Sequence, residues 1–235
     1  MNIETNEKLV KRNARIAQIS MLAGLIVLIG GMIISFRNPE QFSLSLLALV
    51  IGFALSQVGI YFGNRWGRRP RPDEVLNQAL KGLDGRYSLY HYLTPTAHLL
   101  VGPAGVWVLF PRNQRGTITY EKGRWRQRGG GLVMSYLKFF AQEGLGRPDL
   151  EFQNDFYRLE QYFKKLLGEE NLPVIHGALV FTNDKAVIDI PEDSEQPPVP
   201  TLPVGKLKEY LRKFAKSKPI TLDKALDIQK LISGQ

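Results

Sequence analysis

Two uninterrupted apolar runs near the N-terminus, residues 16–36 and 42–62, restrict the fold of this 235-residue chain most. Each run contains 21 residues and no charged side chain. A helix of that length, at about 1.5 Å rise per residue, crosses the ~30 Å hydrocarbon core of a bilayer. Because only residues 37–41 connect the runs, the two helices must be antiparallel neighbours. The pattern predicts a transmembrane helical hairpin over residues 16–62; the alternative is a helical hairpin buried in a soluble core.

The charges beside the two runs predict how the hairpin is oriented. Basic residues precede the first run and follow the second, whereas the turn between the runs carries Arg37 and Glu40. The flanking basic residues are Lys8, Lys11, Arg12, Arg15, Arg65, Arg68, Arg69 and Arg71. By the positive-inside rule both termini lie in the cytoplasm, so we expect an integral membrane protein of the plasma membrane of a prokaryote. Tyr61 and Trp66 are expected at the membrane–water interface.

These features divide the chain into four segments. They are a basic cytoplasmic N-terminus at 1–15, the hairpin at 16–62, a basic Pro/Arg linker at 63–72 and a cytoplasmic domain at 73–235. The linker arginines are expected to meet anionic lipid headgroups. The chain has no cysteine, which fits a reducing compartment and excludes disulfides and thiolate zinc sites.

A stripe of small residues lies along the second apolar run and extends one residue beyond its end. Its members are Ala48, Gly52, Ser56, Gly59 and Gly63. Small side chains allow two helices to approach closely in a membrane. The stripe can therefore pack against the first run, where Gly24 and Gly31 could receive it, or it can support a homo-oligomer.

The order of helical and strand patterns from residue 73 onward predicts an α/β domain. The predicted helices are 73–83, with Asp73 as its N-cap, 149–167, 206–216 and 222–232. The predicted strands are 86–93, 98–101, 106–110, 116–120, 124–127, 174–181 and 186–190. At the centre of this order, residues 98–116 read HLLVGPAGVWVLFPRNQRG. Two wholly apolar arms around Gly-Pro-Ala-Gly predict a β-hairpin that is covered on both faces.

The central hairpin resembles that of the nuclease-related domain (NERD) family, which belongs to the PD-(D/E)xK restriction-endonuclease-like superfamily. In that family an acidic residue opens the first arm, and the second arm ends in Glu-x-Lys before an Asn and a Gly. The acidic position matches Ala97, the Glu matches Phe110 and the Lys matches Arg112, while Asn113 and Gly116 are kept. The resemblance implies a restriction-endonuclease-like α/β core whose catalytic motif is degenerate. A further helical acid of the family matches Asp73 or Glu74.

The degenerate positions bear directly on catalysis. Phosphodiester hydrolysis in this superfamily needs carboxylate oxygens to hold Mg²⁺, and Ala97 and Phe110 supply none. Arg112 is a good phosphate ligand, but its very high pKa makes it a poor base. We therefore expect no catalytic residues and a protein that is not an enzyme, unless Asp73, Glu74, Asp84 and Glu121 form a relocated carboxylate set.

A basic stretch with interleaved aromatic residues follows the hairpin. Residues 112–147 contain eight Lys or Arg and two acids, and residues 63–235 carry 26 basic and 19 acidic residues. The aromatic residues in the stretch are Tyr120, Trp125, Tyr136, Phe139 and Phe140. This mixture suits a single-strand nucleic-acid groove, a loop lying on an anionic bilayer, or a solvated charged loop. The predicted ligand-binding residues are Arg112, Asn113, Arg115, Arg124, Arg126 and Arg128.

Other chemistry has little support in the sequence. Three histidines without cysteine predict no metal site, the GxxxxGK[ST] motif is absent, and no cofactor is expected. His98 and His176 are interpreted as core or strand-end histidines. Residues 129–148 are interpreted as a flap or a binding loop.

Three functional hypotheses follow. The first is a membrane-anchored, catalytically inactive nuclease-related domain that binds nucleic acid or lipid headgroups at the cytoplasmic membrane face. The second is an active metal-dependent nuclease with relocated carboxylates. The third is a non-catalytic membrane scaffold for a protein partner that the sequence does not name.

Overall fold

The computed structural model describes residues 1–129, 144–218 and 222–234. Within them the chain forms two compact units. One is helical and comprises residues 7–71, and the other combines residues 1–6 with the described residues from 72 onward. The predicted flap or binding loop at 129–148 falls largely outside the described residues.

The helical unit consists of two long helices joined by a short turn. Helix α1 spans Glu7–Arg37, a 3₁₀ turn spans Pro39–Gln41, and helix α2 spans Phe42–Phe62. Both helices are long and apolar enough to cross a membrane by length and composition. A single π-helical turn, Gly63–Gly67, continues α2, so the first half of the predicted linker is helical.

The small-residue stripe of α2 packs against α1 of the same chain. A Cβ atom added to Gly31 would lie 2.7 Å from the Cβ of Ala48, and one added to Gly52 would lie 2.6 Å from the Cγ of Leu28. Such distances are too short for real side chains, so glycine is required where the two helices cross. Of the two interpretations of the stripe, packing within one chain is observed, and the homo-oligomer stays a prediction.

The second unit is a mixed α/β domain, as predicted, and it is built on a six-stranded sheet. The strands, in their order across the sheet, are β1 (Asn2–Thr5), β2 (Ser88–His91), β3 (His98–Gly102), β4 (Gly105–Arg112), β7 (Ile175–Phe181) and β9 (Thr201–Pro203). The β2–β3 and β3–β4 pairs are antiparallel, and the other pairs are parallel. A second sheet has the order β6 (Arg124–Arg128), β5 (Gly116–Glu121), β8 (Ala186–Ile188).

Helices cover both faces of the larger sheet. They are α3 (Pro72–Leu80), α4 (Pro148–Leu167), α5 (Val204–Ser217) and α6 (Leu222–Ser233). Apolar residues of α3 and α5 form one buried layer with the sheet, and apolar residues of α4, α6 and the smaller sheet form the other. Helix α3 begins at Pro72, so Asp73 lies in the first turn, and the prediction of Asp73 as the N-cap is wrong. Proline suits that first position because its missing N–H would have no helical partner there.

The β3–β4 hairpin is covered on both faces, as its apolar arms predict. Leu99 and Val108 belong to the layer with α4, whereas Leu100 and Trp107 belong to the layer with α3 and α5. The strands pair through Gly102 and Gly105 at the turn, where Gly105 has a φ of +96°. Only glycine adopts that backbone conformation readily, so this residue closes the hairpin.

The first residues of the chain form a strand that the sequence analysis missed. Strand β1 lies parallel to β2 at the edge of the larger sheet, with Ile3 opposite Leu89. The N–H of Asn2 donates to the carbonyl of Tyr87 at 2.8 Å, and the N–H of Asn6 donates to that of His91 at 3.0 Å. Residues 1–6 therefore belong to the domain rather than to a separate basic N-terminal segment. The chain leaves this unit after residue 6 and returns to it at residue 72.

Candidate functional site

Strand β6 presents three arginines on one side and buries a tryptophan on the other. Arg124, Arg126 and Arg128 are exposed, whereas Trp125 between them is only 5% exposed. Successive residues of a strand point to opposite faces, and alternate residues lie about 6.8 Å apart along it. We call Arg124, Arg126 and Arg128 the β6 arginine row.

One carboxylate on the neighbouring strand partly neutralises this row. In the β5–β6 ladder Glu121 is opposite Arg124. The Nη2 of Arg128 donates to both carboxylate oxygens of Glu121, at 2.7 and 3.0 Å, and the Nε of Arg126 lies 3.9 Å from one of them. The guanidinium groups of Arg126 and Arg128 thus share the Glu121 carboxylate, and with Arg124 the row keeps a net positive charge.

Arg124 lies within electrostatic range of a second carboxylate. Arg147 donates to Asp149, and this hydrogen bond is the main reason that the pKa of Asp149 is lowered. The positive charge of Arg124 adds a smaller contribution in the same direction. Because Asp149 is already paired with Arg147, Arg124 remains able to attract an external anion.

Arg112 is a structural residue and does not belong to the row. It ends β4 and forms an ion pair with Glu151 of α4, and its side chain is only 17% exposed. Its carbonyl accepts hydrogen bonds from the N–H and the hydroxyl of Thr182, at 2.8 and 3.2 Å. These contacts tie the end of β4 to α4 and to the segment after β7, so Arg112 is not available as the predicted phosphate ligand without breaking an ion pair.

Asn113 and Arg115 lie in the loop between β4 and β5. The carbonyl of Asn113 accepts from the side-chain amide of Asn183 at 3.3 Å, and the carbonyl of Arg115 accepts from that of Gln127 at 2.8 Å. The Arg115 side chain is exposed. The loop is therefore held to β6 by its backbone, and Arg115 is the predicted ligand residue nearest in sequence to the row.

Gly116 fixes the start of β5 against β6. Its φ is +95°, and an added Cβ would lie 2.6 Å from the carbonyl oxygen of Arg128. Any other residue would combine backbone strain with a clash against the neighbouring strand. Glycine at residue 116 therefore has a local structural reason.

The positions matched to the family's carboxylates hold no acid and lie in or beside the core. Phe110 is 6% exposed, and its ring centroid is 4.2 Å from that of Phe152 on α4. Ala97 directly precedes β3, and its carbonyl accepts from the N–H of Tyr92 at 2.8 Å. The phenyl ring of Phe110 thus places apolar atoms between β4 and α4, at the position that the resemblance matches to a carboxylate.

Two aromatic residues that were interpreted as candidates for base stacking are core residues, and that interpretation is wrong for them. Tyr120 and Trp125 are 8% and 5% exposed, with ring centroids 4.8 Å apart. The Nε1 of Trp125 donates to the hydroxyl of Thr201 at 2.9 Å. The cause is the strand alternation itself, which turns Trp125 inward when the arginines face outward. Tyr136, Phe139 and Phe140 lie outside the described residues.

A buried pair of histidines lies under α3. The Nδ1 atoms of His91 and His98 are 2.8 Å apart, and the Nε2 of His91 is 2.9 Å from the Oδ1 of Asn77. An amide oxygen only accepts, so Nε2 of His91 carries a hydrogen, and in neutral rings Nδ1 of His98 donates to Nδ1 of His91. The prediction of His98 as a core histidine is confirmed. Its pairing with His91 could have been found only from the β2–β3 register.

His176 lies near the start of β7 beside a group of aromatic rings. Its ring centroid is 4.9 Å from those of Trp107 and Phe214. Burial, together with the positive charge of Lys218, lowers the pKa of His176. This residue is a strand-end histidine, as predicted.

The acids proposed for a relocated carboxylate set lie in three separate parts of the fold, with Asp73 and Glu74 adjacent on α3. Asp73 is buried in the first turn of α3, Asp84 pairs with Arg86 in the α3–β2 connection, and Glu121 pairs with β6. In the described part of the chain, no three His, Cys, Asp or Glu side chains are grouped so that they could hold a metal ion.

Comparisons with protein-family models, with curated proteins and with solved structures found no match to this chain. The resemblance to the NERD family therefore depends on the hairpin motif and on the residues that follow it.

Proposed function

We propose that this protein is a membrane-anchored, catalytically inactive nuclease-related domain that binds a nucleic-acid backbone through the β6 arginine row at the cytoplasmic membrane face. The observation that carries the proposal is the exposure of Arg124, Arg126 and Arg128 on one side of a single strand. A straight row of regularly spaced cations complements a chain of regularly spaced phosphates better than it complements one isolated anion.

The ligand is recognised by charge. Guanidinium groups bind phosphate oxygens through paired hydrogen bonds, and each phosphate neutralised releases counterions. Tyr120 and Trp125 are buried, so neither provides a stacking surface for bases. Binding should therefore depend strongly on salt and little on base sequence.

Membrane anchoring is supported by the surfaces of the two long helices. Large apolar side chains are exposed along both of them, for example Ile26 at 60% and Leu49 at 57%. Exposed apolar surface on this scale is stable in lipid and costly in water. Because β1 and β2 belong to one sheet, the chain enters and leaves the hairpin on the same side of the bilayer. The basic flanks make that side cytoplasmic.

The absence of catalysis is supported by Phe110. A carboxylate that binds Mg²⁺ must reach solvent and the substrate, whereas the Phe110 side chain packs against Phe152 in an apolar layer.

The experiment uses the full chain in nanodiscs of phosphatidylcholine, which carries no net charge. Fluorescent single- and double-stranded DNA is titrated with wild type, with Arg124→Glu/Arg126→Glu/Arg128→Glu, and with Lys206→Glu/Lys216→Glu/Lys224→Glu as a matched control for net charge. We expect wild type and the control to retain DNA, and the arginine variant to lose it.

Parallel reactions contain EDTA or Mn²⁺, and the DNA is examined on a gel. Intact DNA under both conditions supports the inactive domain. Cleavage that requires Mn²⁺ and is lost in Asp73→Ala/Glu74→Ala would instead establish a relocated carboxylate site. Failure to bind DNA, combined with binding to vesicles that contain phosphatidylglycerol that the arginine variant loses and the lysine control keeps, would assign the row to lipid headgroups.

A further inference from the structure

Arg65 is held in place by two aromatic residues just beyond the end of α2. Its Nη1 donates to the hydroxyl of Tyr61 at 2.8 Å. Its guanidinium carbon lies 5.5 Å from the ring centroid of Tyr61 and 5.7 Å from that of Trp66. Phe62 joins the group, with its ring centroid 5.2 Å from that of Trp66. A flexible arginine is thereby restricted to one region, which reduces the entropy that it loses when it binds a ligand.

No acid of the described chain forms an ion pair with Arg65. The helical unit, residues 7–71, contains nine basic residues and only two acids, Glu7 and Glu40. Eight of the nine basic residues flank the two apolar runs at the end where Arg65 lies, and the ninth, Arg37, adjoins the connecting turn. A guanidinium has five N–H donors, and among the described residues this one donates a hydrogen bond to Tyr61 only, so most of its donors are available.

We infer that Arg65, Tyr61 and Trp66 form a binding site for the phosphate of an anionic phospholipid headgroup. Tyrosine and tryptophan rings at the end of a transmembrane helix lie at the level of the headgroups, and there a guanidinium meets phosphate oxygens. The guanidinium binds two phosphate oxygens, and the Tyr61 hydroxyl, which accepts from Arg65, keeps its own hydrogen to donate to the same phosphate. This site differs from the β6 arginine row, although it depends on the membrane insertion proposed above.

Substitutions at Arg12 and Tyr61 distinguish a specific headgroup site from nonspecific electrostatic attraction between basic residues and anionic lipid. Arg12 is exposed on α1 and flanks the same end of the hairpin, and no hydrogen bond or ring contact with another described residue fixes it. Arg12→Gln and Arg65→Gln therefore remove the same charge. Tyr61→Phe keeps the charge and the ring and removes only the hydroxyl. Nonspecific electrostatic attraction predicts that the two arginine variants lose the same amount of bound anionic lipid and that Tyr61→Phe loses none.

The full chain is reconstituted in bilayers of equal parts phosphatidylcholine and phosphatidylglycerol and released for native mass spectrometry, which counts the lipids that each variant retains. We expect wild type to retain phosphatidylglycerol preferentially. Arg65→Gln should reduce that retention about fivefold, because this is the factor that corresponds to the attraction of one basic residue to an anionic membrane surface. Tyr61→Phe should reduce the retention less. Arg12→Gln should leave most of it.

Equal retention by Arg65→Gln and wild type, or equal losses in Arg12→Gln and Arg65→Gln, would overturn the site. Inorganic phosphate added at constant ionic strength tests a free anion as the ligand. If inorganic phosphate displaces phosphatidylglycerol from wild type, and if it binds the protein in detergent without lipid as well as it does in the bilayer, the lipid assignment is wrong. Flotation with the same vesicles tests insertion separately, since a chain that does not insert fails to float whatever its lipid preference.

Discussion

Phe110 shows at the scale of one residue how the end of β4 is used for apolar packing. The residue that the family resemblance matches to a metal-binding acid packs its ring 4.2 Å from that of Phe152. An apolar side chain at this position stabilises the layer between β4 and α4, where a carboxylate would be buried without a counter-charge.

Restoring an acid there tests this explanation. Phe110→Glu should lower the free energy of unfolding by about 3–5 kcal/mol, because it removes a buried ring and buries an unpaired carboxylate. Phe110→Leu, the control, should cost about 1–2 kcal/mol. Thermal or chemical denaturation of the full chain measures both. A Phe110→Glu protein as stable as wild type would show that residue 110 has access to solvent.

His176 predicts a pH dependence. Burial gives it a lower pKa in the folded protein than the 6.5 of an ordinary histidine, so the unfolded chain binds more protons at slightly acidic pH. The stability contributed by the neutral ring is present above about pH 6.5 and is lost as the pH falls towards the lowered value. His176→Gln should therefore flatten the change in melting temperature between about pH 7 and about pH 5. An equally steep change in the variant would contradict the assignment.

At the scale of elements, some strands could be predicted from the sequence and others could not. The β3–β4 and β5–β6 hairpins were predictable because glycine-containing turns separate their apolar or alternating arms. Strand β1 was not, because a four-residue strand has too few residues for a periodic pattern and forms only through its pairing with β2. The composition of residues 112–147 predicts Trp125 as a stacking residue, but its alternation with Arg124 and Arg126 along β6 turns the indole to the opposite face of the strand.

Strand β1 can be tested by proline at two adjacent positions. The N–H groups of Asn2 and Asn6 donate to β2, so the alternation of a strand turns that of Glu4 towards β2 and that of Ile3 away. Glu4→Pro should therefore lower the melting temperature, whereas Ile3→Pro should have a smaller effect. Glu4→Ala controls for the bond from the Ser233 hydroxyl to the Glu4 carboxylate, at 2.7 Å. Equal effects of the two prolines would contradict the β1–β2 register.

At the scale of the whole molecule, the sheet determines the topology of the chain. Residues before the hairpin and residues after it pair as β1 and β2, so the proposed membrane insertion requires both ends of the hairpin to lie in one compartment. This agrees with the charge asymmetry, which the sequence shows independently. The ligand surface was less predictable, since the sequence shows where arginines are concentrated but not that Arg112 is tied to Glu151.

The topology can be tested by labelling, because the natural chain contains no cysteine. Single cysteines are introduced as Glu40→Cys in the connecting turn and Gly234→Cys near the C-terminus. In intact bacterial cells, a membrane-impermeant maleimide should label Glu40→Cys and not Gly234→Cys, and both should react after the cells are opened. Labelling of Gly234→Cys in intact cells would reverse the orientation.

The central claim is that the β6 arginine row binds a phosphate backbone, and the salt dependence of DNA binding tests it most directly. The affinity of the full chain in phosphatidylcholine nanodiscs is measured at several salt concentrations for wild type and for Arg124→Gln/Arg126→Gln/Arg128→Gln. We predict a weaker affinity for the variant and a plot of log affinity against log salt that is shallower by about 2.7, or 0.9 for each of three phosphate contacts. An unchanged slope would show that the row does not contact the backbone and would contradict the account.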